Sequence, residues 1–266
     1  MYPNELEISK ETQLEKIREN NKVYFNTGFN FLNQHNGIRP NKMHLLVAPT
    51  HVGKSTLTNS LISSIIENNE DVKILLYLTE ETVEDFKGAI SSMNANLEGF
   101  NKCVRVMVED KKMSEEGIRD ILEEAIIHFD FDLVFFDNIT TSKIYMEKTS
   151  DKQAEVSLWL KDLLKATTLF LIAHTNGNNY NSELLDETHI RGSKTITNIA
   201  EFLYVMQPIR VNEQMFQYVR ILKSRGQPTL NNFFRLAYSH STRTITHDKP
   251  IDFDDFKAVF KLRNKL

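Results

Sequence analysis

The chain carries the stretch Val47-Ala48-Pro49-Thr50-His51-Val52-Gly53-Lys54-Ser55-Thr56, and this stretch decides the fold class. It follows an apolar run that starts at Met43 and opens into an amphipathic pattern with Leu57, Leu61 and Ile65 on one side. A strand, a turn ending in Gly-Lys-Ser and a helix are together typical of a phosphate-binding P-loop. Backbone N–H groups of such a turn surround the β-phosphate. The stretch therefore predicts that the chain binds a nucleoside triphosphate.

The P-loop pattern assigns individual roles within this stretch. Lys54 is expected to neutralise β- and γ-phosphate oxygens, and Ser55 to hold Mg²⁺, so the pattern predicts a nucleoside triphosphate and Mg²⁺ as cofactors. Ala48 stands where the usual GxxxxGK[ST] pattern has its first glycine, so this position must avoid positive φ or tolerate a methyl group. The expected nucleotide-binding residues are Thr50, His51, Val52, Gly53, Lys54, Ser55 and Thr56.

Composition excludes several classes of protein. With 266 residues, of which 41% are hydrophobic and 26% charged, the chain can bury one sizeable core. The single cysteine, Cys103, excludes an intrachain disulfide and a four-cysteine zinc site, and we expect a buried thiol in a strand. A net charge of −4 means that any contact with nucleic acid must use a local basic patch.

The sequence also gives an expected location and domain organisation. No apolar run is long enough to span a bilayer, and the N-terminus lacks a signal-peptide pattern, so we expect a cytoplasmic protein of a bacterium or a phage-infected host that makes no membrane contact. Residues 1–25 are predicted to form a helical arm, with an amphipathic segment from Glu5 to Asn20, and residues 26–266 a single ATPase domain.

Strand-like and helix-like patterns alternate between Met43 and Ala173, which predicts an α/β fold with a doubly wound, mostly parallel sheet flanked by helices. The predicted strands are Met43–Val47, Ile74–Leu78, Val104–Val108, Leu133–Asp137 and Leu169–Ala173. The predicted helices are Lys54–Asn69, Thr82–Asn96, Ser114–His128 and Lys152–Ala166. Shorter strands over Phe202–Met206, Phe216–Lys223 and Phe233–Tyr238 follow, with a last helix over Asp252–Arg263.

Acidic residues end two of the apolar strands. Asp137 follows Leu133–Phe136 and is expected to hold Mg²⁺ from the side opposite Ser55, because ligands bind at the carboxyl edge of such sheets. Glu80 is the first acid after the predicted strand Ile74–Leu78 and is the candidate to polarise the attacking water. Glu81 fits that role as well, and the pair also fits the acidic first turn of the next helix.

Three basic or titratable residues end later strands. His174 could contact the γ-phosphate, although a histidine at a strand end is often structural. Lys223 and Arg225 are two positions apart, point to the same side and could reach a phosphate across a subunit interface; solvated cations at a strand end are the alternative.

In this order, the motifs resemble the RecA-like motor domain of DnaB-type ring replicative helicases, especially the helicase half of phage primase-helicases. The resemblance runs from about Gly28 to Tyr238. It rests on residues 48–56, Leu78-Thr79-Glu80-Glu81-Thr82, Phe136-Asp137-Asn138-Ile139, Ala173-His174, Ile190-Arg191-Gly192-Ser193 and Arg220-Ile221-Leu222-Lys223-Ser224-Arg225. P-loops of this family commonly lack the first glycine, as here at Ala48.

The resemblance implies roles for the candidate residues. Lys54 and Ser55 match the nucleotide and magnesium ligands, Glu80 the catalytic glutamate and Asp137 the second acid. His174 matches the γ-phosphate sensor, and Lys223 with Arg225 the basic pair that enters the neighbouring subunit's site. Tyr238 lies where relatives stack an aromatic ring on the base, with a core tyrosine as the alternative.

The chain departs from this family in the segment expected to grip DNA. Residues 176–189 contain three acids and no Lys or Arg, but their backbone amides, asparagines and Tyr180 could still hold phosphates and stack bases. The cations in or near the two central loops are Lys143, Lys148, Arg191 and Lys194, so we expect only a small electrostatic contribution to DNA binding. From the length of the sequence we also expect one motor domain without a primase or collar region. Residues Glu5 to Asn20 are therefore expected to dock on an adjacent subunit.

These observations predict an ATP-hydrolysing hexameric ring that moves on single-stranded DNA and unwinds duplex DNA in replication. A primase or a loader protein is a possible partner. Two alternatives remain open: a RecA-type recombination or remodelling ATPase that forms filaments, and an ATP-gated adaptor that acts on a protein partner, which the acidic loop favours.

Overall fold

The computed structural model describes residues 24–93, 96–146, 149–175, 184–189, 194–228 and 232–262. The strands are β1 (Met43–Ala48), β2 (Ile74–Leu78), β3 (Val104–Val108), β4 (Leu133–Asp137), β5 (Thr168–His174), β6 (Phe202–Val211), β7 (Gln214–Ser224), β8 (Phe233–Ser239) and β9 (Thr244–Ile251). The α-helices are α1 (Asn30–Asn33), α2 (Lys54–Asn68), α3 (Val83–Ser92), α4 (Leu97–Cys103), α5 (Glu115–Phe129), α6 (Ser150–Leu163), α7 (Lys194–Ile199) and α8 (Phe253–Leu262).

The described strands form a nine-stranded sheet in the order β3-β2-β4-β5-β1-β6-β7-β8-β9. All pairs among strands β1 to β6 are parallel, whereas the pairs β6–β7, β7–β8 and β8–β9 are antiparallel. The predicted doubly wound, mostly parallel sheet is thereby confirmed. We call strands β1 to β5 the parallel part of the sheet and strands β6 to β9 its antiparallel part.

Every residue of β1, β2 and β5 is buried, which explains their uninterrupted apolar sequences: helices cover both faces of this part of the sheet. One buried cluster joins helix α2 to one face, and a second joins α5 and α6 to the other. Phe25, the last residue of the predicted arm, forms an antiparallel bridge with Ile38 and belongs to the first cluster. The rest of the arm, apart from Tyr24, lies outside the described residues, as does its predicted docking.

The antiparallel part packs back onto the P-loop helix. The backbone N–H of Ile245 on β9 donates to the hydroxyl of Ser60 on α2 at 3.0 Å. Helix α8 covers the other face, where Phe256 stacks on Phe233 with ring centroids 4.4 Å apart. The antiparallel strands therefore brace the helix that begins at the P-loop.

Three local predictions were wrong. The single helix predicted over Thr82–Asn96 ends at Ser92, and a second helix begins at Leu97, where the Asn96 side chain accepts from the N–H of Gly99 at 2.9 Å. Cys103 ends this second helix instead of lying in a strand, although it is buried. Strand β9 was not predicted, because its sequence is largely polar.

Side chains cap the first turns of two helices. Thr82 and Asp85 form a reciprocal capping box at the start of α3, and the Ser114 side chain accepts from the N–H of Gly117 at the start of α5. None of the helices in the described ranges is long and apolar enough to cross a membrane.

Candidate nucleotide site

The carboxyl ends of four parallel strands meet at one edge of the sheet. Strand register aligns Leu78 with Asp137 and Ala48 with His174, so the P-loop, the two acidic strand ends and the histidine follow neighbouring strands. This edge is where ligands bind in open α/β sheets. The structure thus brings together the residues predicted from β1, β2, β4 and β5.

The P-loop has the backbone geometry that its sequence requires. Ala48 is the last residue of β1 and does not have positive φ, so a methyl group is tolerated there. The turn instead takes positive φ at His51 (59°) and at Gly53 (88°), which precedes α2. Thr50 and His51 are exposed, whereas Ser55 and Thr56 lie partly buried in the first turn of the helix.

Lys54 closes the loop on itself. Lys54 is 8% exposed, and its ammonium donates to the carbonyl oxygen of Pro49 at 2.7 Å. Burial lowers the pKa of Lys54, while the carboxylates of Asp137 and Glu80 oppose that shift. The ammonium therefore lies within the electrostatic reach of both acids, and phosphate oxygens would replace one neutral carbonyl as its partner.

Glu80 and His174 face each other across the sheet edge. His174 Nε2 lies 3.3 Å from Glu80 Oε1, with side-chain exposures of 7% and 49%. The hydrogen bond with His174 is the main cause that holds the pKa of Glu80 below its ordinary value. Glu80 is therefore an ionised carboxylate that is partly open to solvent, as a residue that polarises water must be.

Asp137 has a different environment from Glu80. Burial, together with repulsion from Glu81 and Glu80, raises the pKa of Asp137 to about 7, and Lys54 opposes that rise. A carboxylate surrounded by like charge gains from a nearby cation. This supports Asp137 as a residue that holds a cation and Glu80 as the residue that acts on water.

Hydroxyl and amide groups fix the position of both strand ends. The Thr140 hydroxyl accepts from the backbone N–H of His174 at 3.1 Å and donates to Asn138 Oδ1 at 2.5 Å. Thr79, which precedes Glu80, bonds the Thr141 hydroxyl at 2.6 Å. His174 Nδ1 is buried and has no partner among the described residues. The sequence offered no motif for these threonines.

A buried carboxylate secures the loop that follows β4. Glu109, whose side chain is 0% exposed, accepts from the hydroxyl of Tyr77 at 3.1 Å, from the Ser142 hydroxyl and from the N–H of Lys143 at 2.9 Å, and pairs with Lys111 at 2.9 Å. This anchor was not predicted, since an isolated glutamate after a strand carries no motif.

The same loop changes the expectation for Lys143. Its ammonium donates to the carbonyl oxygens of Met113 at 2.5 Å and Lys111 at 3.3 Å, so it is committed to the protein's own backbone. A contact between Lys143 and DNA would therefore have to replace these two carbonyl oxygens. Lys148, Arg191 and the side chain of Lys194 lie outside the described residues.

Lys223 and Arg225 contact the end of helix α7. Lys223 donates to the carbonyl oxygens of Thr197 at 2.9 Å and Asn198 at 3.0 Å, and Arg225 reaches Asn198 at 3.4 Å. Both cations thus lie on the same side, as predicted. Lys223 pairs with Leu203, which is level with Leu45 in β1, so the pair lies at the opposite end of the strands from this chain's own P-loop.

An irregularity in the β6–β7 register gives the cations this direction. Leu203 faces Lys223, but Tyr204 faces Ile221, so one extra residue lies in β7 at Leu222. A strict alternation would put Lys223 on the face of Val219 and Ile221, toward α2. The extra residue turns Lys223 to the α7 side, as β-bulges often do near functional sites.

Tyr238 is 45% exposed and lies edge-on to His240, with ring centroids 5.0 Å apart. The core-tyrosine alternative is therefore excluded. Because Tyr238 is on β8 of the antiparallel part, its ring is not contributed by the strand ends that carry Lys54 and Glu80.

Gln217 on β7 reaches the P-loop, which sequence reasoning missed. Its side-chain Nε2 donates to the carbonyl oxygen of Val52 at 2.5 Å. A glutamine in a strand gives no signal by itself. In the sheet, only β6 lies between its strand, β7, and the P-loop strand β1.

The donor set fits a nucleotide with its magnesium ion. Among the described residues, no group of three His, Cys, Asp or Glu side chains could hold a metal alone. Ser55 and Asp137 supply one hydroxyl and one carboxylate, and Mg²⁺ typically takes one or two protein oxygens together with substrate phosphates and water. Gly53 has a φ of 88°, a backbone conformation that favours glycine.

No protein-family model and no curated protein sequence matches the chain. Among solved structures, the chain is similar to the KaiC-like protein PH0186 from the hyperthermophilic archaeon Pyrococcus horikoshii OT3, with a TM-score of 0.65 and 16% sequence identity. The match covers 85% of this chain and 97% of that one. This likeness confirms the predicted RecA-like α/β fold.

Proposed function

We propose that the protein is an Mg²⁺-dependent ATPase. The observation that carries this proposal is the contact between Glu80 and His174 at 3.3 Å, at the sheet edge where Lys54 follows β1. An ionised carboxylate, a histidine nitrogen and a lysine ammonium there provide a water-orienting group, a polar contact for the γ-phosphate and a phosphate-binding cation.

Each side chain has a part in hydrolysis. Lys54 leaves the carbonyl of Pro49 and binds the β- and γ-phosphate oxygens. Glu80 orients the water that attacks the γ-phosphorus and accepts its proton. His174 keeps Glu80 ionised and contacts the γ-phosphate until it departs. Mg²⁺, held by Ser55 and Asp137, would neutralise the developing phosphate charge.

We further propose that the ATPase assembles as a ring, with six subunits as the expected number, and moves along single-stranded DNA to unwind duplexes. Support comes from Lys223 and Arg225, which lie at the other end of the strands from their own P-loop. There they contact the carbonyl oxygens of Thr197 and Asn198, which a neighbour's phosphate would have to replace. The exposed ring of Tyr238 is suited to stacking on the nucleotide base. The proposal also includes a cytoplasmic location and a primase or a loader protein as a possible partner.

One observation favours a second candidate, an ATP-gated adaptor that acts on a protein partner. The ammonium of Lys143, expected to contact DNA, is occupied by two backbone carbonyls, and residues 176–189 carry acids instead of cations. Such a protein would use ATP to fix its shape, and its turnover would not respond to DNA.

The test is ATP hydrolysis measured with and without single-stranded DNA over a range of salt concentrations. Stimulation by DNA that falls steeply with salt would support the motor, because phosphate contacts release counterions. Turnover that is the same with and without DNA would reject the motor and favour the adaptor. Absence of turnover in magnesium and ATP would reject the ATPase proposal itself.

A further inference from the structure

Gln217 is the described side chain of the antiparallel part that hydrogen-bonds the P-loop backbone. It lies on β7, opposite Pro208 of β6, beyond the point where β6 pairs with the end of β1 at Val47–Val205. The strand therefore extends past the sheet edge and places the glutamine beside the turn. Its Nε2 donates to the Val52 carbonyl at 2.5 Å.

This hydrogen bond fixes the plane of one peptide group. In a trans peptide the C=O of Val52 and the N–H of Gly53 point in opposite directions. A donor that holds the carbonyl on the β7 side therefore turns the Gly53 N–H to the side away from β7. That N–H is among those that bind the β-phosphate in P-loops.

The same contact gives Gly53 a second requirement. A Cβ on Gly53 would lie 3.0 Å from Gln217 Nε2, closer than an ordinary van der Waals contact. Gly53 also has φ of 88°, a region that favours glycine. Glycine thus serves both the turn and the close approach of Gln217.

Gln217 is held in place by its strand. Val219 and Ile221 on β7 are buried in the cluster that contains Leu57 and Leu61 of α2. The helix that follows the P-loop and the strand that carries Gln217 therefore share one packed core. A side chain on such a support can orient a backbone group without being free to move away.

We propose that Gln217 is a positioning residue of the nucleotide site: it orients the Val52–Gly53 peptide so that the Gly53 N–H binds the β-phosphate. This inference rests on the proposed nucleotide binding and adds a residue from the antiparallel part to it. Gln217 acts through the peptide and does not itself contact the phosphate. Because the β-phosphate contact exists before and during hydrolysis, its loss affects substrate affinity more than the rate of the chemical step.

The experiment compares Gln217→Met, which keeps the length and removes the donor, with Gln217→Glu, which places an acceptor against the carbonyl. Gln214→Met is the matched control, because Gln214 is an exposed glutamine on the same strand. KM and kcat for ATP are measured together with the affinity for fluorescent N-methylanthraniloyl-ADP in magnesium. Thermal unfolding without nucleotide reports on the fold.

Gln217→Met is expected to raise KM and weaken ADP binding by about fivefold to tenfold, with kcat within about twofold of the unsubstituted protein. Gln217→Glu is expected to have the larger effect, and Gln214→Met none. A fall in kcat at constant KM, with a lower unfolding temperature, would instead mean a merely structural role and would overturn the proposal. So would unchanged KM and ADP affinity in both Gln217 variants.

The unsubstituted protein and Lys54→Ala separate this inference from the proposed function. If neither binds ADP, nucleotide binding fails as a whole. If the unsubstituted protein binds ADP, Lys54→Ala does not, and both Gln217 variants bind normally, then only the positioning role fails.

Discussion

The parallel and antiparallel parts of the sheet contribute to the site in different ways. The parallel part carries its candidate groups at strand ends: Lys54 follows β1, and Asp137 and His174 are the last residues of β4 and β5. The antiparallel part contributes from within its strands: Gln217 reaches the P-loop of its own chain, and Lys223 lies six positions further along β7. Six residues of strand span about 20 Å.

This difference separates chemistry from arrangement. In parallel strands, all carboxyl ends meet at one edge, so reactive groups at the strand ends lie close together. Antiparallel strands present side chains at both ends, so a single strand can touch one site and face another. We therefore expect substitutions in the parallel part to remove turnover, and those in the antiparallel part to change affinity, assembly or stability.

Lys54→Ala should have the largest effect. Removal of the ammonium leaves the β- and γ-phosphates without a cation, and turnover is expected to fall by about 10³-fold or more, with weaker ADP binding. Steady-state ATP hydrolysis and titration with fluorescent ADP measure the two effects. Lys73→Ala, which removes an exposed surface cation paired with Asp130, is the control and should be unaffected. Normal turnover in Lys54→Ala would break the assignment of the P-loop.

Arg225→Ala tests whether the antiparallel part serves a neighbouring site. Turnover should fall by about 10³-fold while ADP affinity stays normal, because the residue would act on another subunit's phosphate. Mixing Arg225→Ala with Lys54→Ala should restore part of the turnover, since some interfaces then combine an intact P-loop with an intact arginine. Arg105→Ala, on edge strand β3, is the matched control. Lack of any restoration would leave Arg225 as a cap for the carbonyl of Asn198 within its own chain.

Glu80→Gln should lower kcat by about 10²- to 10³-fold and spare ADP binding, because the amide cannot accept a proton from water. Glu81→Gln is the control that decides between the two acids. If Glu81→Gln proves the more damaging change, the roles are reversed, and the partial exposure of Glu80 reflects only the start of α3.

The pH dependence follows from the contact between Glu80 and His174. Since the hydrogen bond with His174 holds the pKa of Glu80 below its ordinary value, the carboxylate stays ionised to lower pH than an isolated glutamate. Without the imidazole, protonation begins at higher pH. In His174→Ala, the acidic limb of the kcat profile should therefore shift upward in pH. An unshifted limb, measured on variants that still bind ADP, would mean that Glu80 does not set it.

The two parts also differ in how far the sequence could predict them. Strands β1, β2 and β4 were located almost to the residue, because continuous apolar runs between helices have few other interpretations. The sequence could place Glu80 and His174 at the same sheet edge because each lies at the end of a strand. The hydrogen bond between them depends on the strand register, which the sequence does not give. Thr140, which holds the backbone of His174, gave no signal, since a single threonine in a loop fits many structures.

Three features of the antiparallel part could not be predicted. Strand β9 is polar because its outer face is exposed, and its buried Asp248 reads from the sequence as a surface residue. The direction of Lys223 depends on one extra residue in β7, which no periodicity reveals. Gln217 is chemically ordinary, and its importance arises from a contact 165 positions away along the chain.

The smallest effect on turnover, and a large one on stability, is expected for Asp248→Ala. The Asp248 carboxylate accepts from the backbone N–H groups of Asn30 at 2.6 Å and Phe31 at 2.8 Å, and so ties β9 to the start of α1. Its removal leaves two donors unpaired, one of them buried, and should cost about 3 kcal/mol of unfolding free energy. Urea unfolding measures this cost.

Asp254→Ala is the control, because the Asp254 side chain is 95% exposed and forms only a surface ion pair with Lys257 at 3.7 Å. The decisive quantity is kcat of Asp248→Ala at a temperature where the variant is fully folded. An unchanged kcat with reduced stability would confirm that β9 holds the fold and takes no part in chemistry. A loss of kcat in the folded variant would mean that the brace from β9 to α2 also determines the geometry of the P-loop, and the separation between the two parts of the sheet would fail.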